Sequence, residues 1–109
     1  MSALVRGPAG RAVVLVLLVL AVLGCGRDER SVRGIVIEVQ GTDPATVTAF
    51  ALRTDEGERL DFSVGQLDLG GGAFPAAHLR EHMVSASPIE VHFRFEAGQR
   101  IAYRLVDAP

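Results

Sequence analysis

His78 and His82 stand four residues apart in His78-Leu79-Arg80-Glu81-His82. On a helix that spacing puts two imidazoles on one side, close enough to share a metal ion. A tight site wants a third ligand. Glu81 adjoins the pair in sequence but points about 100° away around a helix, and His92 is the only other histidine. Glutamate does not follow the first histidine, so the segment is not the zincin pattern. Two readings stand: a metal-binding or metal-delivery pair, His78 and His82 with His92 as third ligand, or partly exposed imidazoles bonded to solvent beside an apolar stripe. Other chemistry-bearing residues are sparser. The serines have no neighbouring base, and Glu38, Asp61 and Glu90 fall on outward strand positions, where solvated carboxylates are ordinary. Gly70-Gly71-Gly72 lacks the Lys and Ser/Thr of a phosphate loop and reads as a hinge or loose loop. No catalytic set emerges, so the chain is expected not to be an enzyme and to need no cofactor.

Cys25 is the single cysteine, and its surroundings give it a different chemistry. Arg6 and Arg11 precede an uninterrupted apolar run of twelve residues, Ala12 to Leu23, and Gly24 separates that run from Cys25. Such a run suits the core of a signal peptide and is short for a membrane span, which takes roughly 20 residues. Val22-Leu23-Gly24-Cys25 resembles the lipobox of bacterial lipoproteins, with valine where leucine is commoner. That resemblance implies that the Cys25 thiol is lipidated and the chain is cut before it. An ordinary cleaved signal and an uncleaved anchor are the alternatives. Lipidation also disposes of a thiol that has no partner for an internal disulfide. The expected organisation is a signal peptide over 1–24, a lipidated tether over 25–31 and a folded domain over 32–107. The protein is then exported and held by lipid to the cell membrane or outer membrane, with its domain facing the periplasm or the exterior.

From Cys25 onward there are nine arginines against thirteen acidic residues, a net charge of −4. A basic surface for nucleic acid or anionic lipid is not indicated. The folded part is a single small domain without disulfides, which must bury nearly every large apolar side chain it has.

Five stretches carry strand periodicity. Val32 to Val39 places Ile35, Ile37 and Val39 on one face and Val36 on the other; Thr46 to Thr54 places Thr48, Phe50 and Leu52 inward. Asp55-Glu56-Gly57 is a turn, after which Leu60, Phe62 and Val64 alternate. Pro75 opens a helix over Ala76 to Ser85 with Ala76, Leu79 and Met83 on one stripe. Ile89 to Phe95 has the strictest alternation, Ala97-Gly98-Gln99 turns the chain, and Ile101, Tyr103 and Leu105 line the last inner face.

The predicted class is mostly β: a small five-stranded barrel with one helix between strands three and four, preceded by a cleaved signal peptide. Closing the sheet removes exposed edges, and the helix plugs one end. Element order, element lengths and helix position resemble the OB-fold over residues 32–107, with an open sheet crossed by the helix as the rival. OB-folds often bind oligonucleotides on the outer face of strands two and three. Here that face reads Val47, Ala49, Ala51, Arg53, Arg59, Asp61 and Ser63, with no aromatic, so nucleic acid is not an expected partner. The apolar part, Val47, Ala49 and Ala51 with Arg53 beside it, is instead a surface for an envelope protein partner or for a covering segment. Haem chaperones of cytochrome c maturation also hold an anchored OB-fold, but their histidine motif is missing here. The expected function is a membrane-anchored binding or accessory module, with the metal-delivery reading of His78 and His82 as the alternative.

Overall fold

The computed structural model describes residues 29–109; the apolar segment and Cys25 lie outside them. The elements follow the expected order: β1 (Glu29–Gln40), β2 (Ala49–Thr54), β3 (Arg59–Val64), a 3-10 turn (Ala76–His78) running into α1 (Leu79–Ser85), β4 (Ile89–Glu96) and β5 (Gln99–Asp107). The strands close in a ring, β1-β2-β3-β5-β4, sealed by β4 against β1. Every pair is antiparallel except β3 with β5, a parallel contact in register only at Ser63↔Ile101 and Val64↔Ala102.

A twelve-residue β1 makes closure feasible, because it serves two neighbours. Its first half pairs with β4 from Glu29 to Gly34, and its second half pairs with β2 from Gly34 to Gln40. β1 starts at Glu29, so the last three residues of the expected tether belong to the barrel. They are secured by pairing with Phe93 and its neighbours and by the Tyr103 hydroxyl, which donates to Glu29 Oε2 at 3.3 Å. Burial, and then the charge of Glu29, raises the Tyr103 phenol above its usual pKa.

The inner face of β1 differs from the periodicity reading. Val36 is 1% exposed and Ile35 39% exposed, the reverse of expectation. The cause is register. Residues directly opposite in an antiparallel pair face the same side, and Val32 and Gly34 lie opposite Val91 and Ile89, which are fully buried. Even-numbered residues of β1 therefore point inward until a bulge at Ile37, between Val36 and Glu38, adds one residue and brings Val39 onto the core side. A second bulge lies opposite the His92/Phe93 step, where Tyr103 is the extra residue of β5. Ala102 and Leu105 are consequently the buried residues of β5, with Ile101 and Tyr103 only half-buried. One extra residue reverses every later side chain, and an alternation read along one strand cannot foresee it.

The core is formed by Val36, Phe50, Leu52, Leu60, Phe62, Ile89, Val91, Phe93 and Leu105, with Leu79 of α1 inserted from the helix side. Ala76 and Met83 pack beside Leu79 as the helical stripe requires, and Val84 on the opposite side is 85% exposed. A fully buried leucine contributes about 1.5–3 kcal/mol of burial free energy, which suits a one-residue plug in a short helix. Between β3 and α1 the chain runs along β5: Asp68 and Phe74 donate their N–H groups to the Tyr103 and Leu105 carbonyls at 2.8 and 2.9 Å. The glycine run expected to be a loose loop is clamped. Arg104 donates to the carbonyls of Gly70 and Gly71 at 2.6 and 2.9 Å.

Candidate functional site

The parallel contact between β3 and β5 covers two residue pairs and then stops. Toward the start of both strands the barrel wall parts, and a cleft of about 350 Å³ opens there. Asp61, Phe62 and Ser63 of β3 form one wall; Gly98, Gln99 and Arg100 of the β4–β5 hairpin form the other. Gln40, at the end of β1, and Ala49 and Phe50, at the start of β2, complete it. This volume lies near the small end of the range for small-molecule sites, about 300–1,000 Å³.

Local structure explains the two walls. The hairpin turns on Ala97 and Gly98, both in the left-handed region at φ 50° and 77°, between the paired residues Glu96 and Gln99. Two positive-φ residues in a two-residue loop match the twist of the flanking strands, so the hairpin holds Gln99 and Arg100 rigidly. On β3, the Val64 N–H donates to Thr48 and the Glu58 carbonyl accepts from Thr54. Even-numbered residues thus spend their backbone groups on β2, which turns those of Asp61 toward the cleft.

The floor is aromatic. Phe50 and Phe62 stack at 5.0 Å between centroids, Phe62 meets Phe93 edge-on at 5.2 Å, and Phe93 meets Phe95 edge-on at 5.7 Å. This chain of rings crosses the barrel interior and ends beside Arg100, whose guanidinium carbon lies 5.6 Å from the Phe95 centroid.

Charge on the neighbouring outer face is internally matched. Arg59 Nη2 lies 3.0 Å from Asp61 Oδ1 and 2.8 Å from Glu38 Oε2. The Asp61 and Glu38 hydrogen bonds raise the Arg59 pKa further, so it stays charged. Since Arg59 is on β3 and Glu38 on β1, its guanidinium crosses β2. Ala51 is the residue of β2 in register with both Glu38 and Asp61, and it is completely buried. The apolar outer surface expected of Val47, Ala49, Ala51 and Arg53 is therefore not a continuous open patch. Val47 precedes β2 and packs into the core at 8% exposure, Ala51 is covered, Ala49 lines the cleft, and only Arg53 is fully exposed.

The histidines are elsewhere. His78 and His82 do share a neighbour, as their spacing predicts: the Phe74 ring, at centroid distances of 6.2 and 4.6 Å. His82 Nε2 lies 3.1 Å from Asp107 Oδ1, while its Nδ1 is buried without a hydrogen-bond partner among the described residues. His92, on β4, has its own carboxylate, with Nε2 2.7 Å from Glu90 Oε1. Among the described residues no group of three or more His, Cys, Asp or Glu is placed to hold a metal ion. Titration with zinc, copper(II) or nickel(II) is expected to reveal no site tighter than about micromolar, because no group of three ligands is assembled around His78 and His82 among the described residues. Tight binding that disappears in the His78→Ala/His82→Ala double variant supports the metal reading.

No histidine lines the cleft, and the carboxylate that does, Asp61, is held by Arg59. Sequence periodicity missed Gln40, Phe62, Gln99 and Arg100 as site residues, since nothing local records that β3 and β5 pair and then diverge. The Ala97-Gly98 turn was the one visible signal of that hairpin. In comparisons with known proteins, the chain matches no family model, no curated protein and no solved structure.

Proposed function

We propose that the chain is an exported lipoprotein, anchored by lipid on Cys25, whose barrel serves as a non-catalytic binding or accessory module of the cell envelope. The cleft between β3 and the β4–β5 hairpin is the observation that carries the binding role. It occupies the place where OB-like barrels present ligands, the face of strands two and three with the β1–β2 and β4–β5 loops at its rim. The anchoring role rests on the basic flank, the apolar run and Val22-Leu23-Gly24-Cys25.

A chemical-shift test addresses the binding role directly. The lipidated protein in nanodiscs is titrated with a library of small polar compounds and followed by amide resonances. Shifts are expected to cluster at Gln40, Asp61, Ser63 and Gly98 to Arg100. Hits that cluster on α1, or no hits at all, remove the cleft as the working surface.

A further inference from the structure

We propose that the cleft takes its ligand by a carboxylate, with Arg100 as the anion-binding group; this rests on the reading of the cleft as a ligand site. Four other arginines are held by carboxylates. Arg33 pairs with Asp55 at 3.4 Å, Arg59 with Glu38 and Asp61, Arg94 with Glu96 at 3.4 Å, and Arg104 with Asp68 at 3.4 Å. Arg100 lines the cleft, and no carboxylate pairs with it among the described residues. Arg53 and Arg80 likewise pair with no carboxylate among the described residues, but of these three arginines only Arg100 lines the cleft.

The guanidinium is also held in place. Arg30 and Arg100 both lie against the Phe95 ring, at 5.2 and 5.6 Å from its centroid. The negative face of an aromatic ring attracts a cation, so Phe95 orients Arg100 without neutralising it. The carboxylate that lines the cleft does not compete for Arg100, because Asp61 is bound by Arg59 through both Nη2 and Nε, at 3.0 and 3.3 Å.

The remaining lining groups suit the neighbours of a carboxylate on a small polar molecule. Gln40 donates its amide to Glu38 at 3.0 Å, which leaves its carbonyl oxygen as an acceptor. The Gln99 amide and the Ser63 hydroxyl have no partner among the described residues. A guanidinium fork recognises a carboxylate with two parallel hydrogen bonds, and amide and hydroxyl groups beside it read hydroxyl or peptide groups on the same ligand. Two ligand types of fitting size share that chemistry: an acidic monosaccharide and the carboxyl terminus of a short peptide.

The test uses the lipidated full protein in nanodiscs of zwitterionic lipid, titrated calorimetrically with matched pairs. D-glucuronate is compared with D-glucose, and N-acetyl-Ala-Ala with its C-terminal amide. One acid is expected to bind at least about tenfold more tightly than its neutral counterpart, and the better acid identifies the source. Arg100→Gln is expected to remove at least about tenfold of that affinity, Arg100→Lys to recover part of it, and Arg33→Gln to leave it unchanged. Equal binding of the acid and neutral forms, or wild-type affinity in an Arg100→Gln variant with unaltered amide spectrum, overturns the carboxylate proposal while leaving the cleft a ligand site. Failure of both acids to bind overturns it as well; the cleft reading itself falls only if the wider library also yields no shifts there.

Discussion

Gly34→Ala is expected to destabilise the barrel by about 3 kcal/mol, toward the upper end for overpacking a tight site. Gly34 is the residue at which β1 passes from β4 to β2, and it belongs to both ladders, opposite Ile89 on one side and Thr54 on the other. A β-carbon built there falls 2.5 Å from the Arg53 carbonyl oxygen, 3.1 Å from its carbon and 3.3 Å from Thr54 Cα. All three are backbone atoms of β2. No side chain can rotate away to make room, so β1 and β2 must separate where the sheet coils to close. The loss is measured by urea denaturation, with Gly70→Ala as control: there an added β-carbon meets only the Asp68 carboxylate, at 3.3 Å, and the change is expected to stay within about 0.5 kcal/mol. A Gly34→Ala variant that unfolds at the wild-type urea concentration disproves the close approach of the two strands.

Cys25→Ala is expected to move nearly all of the protein from the membrane to the soluble or secreted fraction while leaving the barrel folded. Several acyl chains on one residue anchor firmly, whereas a polar tether with no lipid does not hold a domain of net negative charge to a membrane. The fold is expected to be indifferent, because β1 begins at Glu29 and the core residues lie between Val36 and Leu105. Membrane fractionation with mass spectrometry of the N-terminal peptide reads both the anchor and the cleavage point. Retention of the variant in membranes at wild-type levels rules out the lipid anchor.

The two variants address links of different legibility. Strand count, strand order and the helix between the third and fourth strands were readable, because Ile89 to Phe95, Leu60 to Val64 and the Ala76-Leu79-Met83 stripe each carry their periodicity locally. The inward residues of β1 and β5 were not readable in full. Ile35 and Ile101 look like core residues in isolation, but Val36 and Ala102 take those places once β4 sets the phase and the bulges at Ile37 and Tyr103 shift it. What covers the outer face of β2 was not readable for a related reason. Ala51 is an apolar residue at an outward position, and only the span of Arg59 from β3 to Glu38 on β1 shows why it is buried.

By itself the sequence determined the class of fold, a mostly β domain with one helix, since amphipathic periodicity is a property of neighbouring residues. It also carries the basic, apolar and Cys25 pattern on which the expectation of a lipid anchor rests. Only the tertiary structure decided where a cleft opens. The cleft exists because β3 and β5 pair in parallel at Ser63 and Val64 and then part. Arg100 lines that cleft without a carboxylate because the one acidic residue in the lining, Asp61, is paired with Arg59. Both facts depend on contacts between residues far apart in the chain, and no local pattern encodes them.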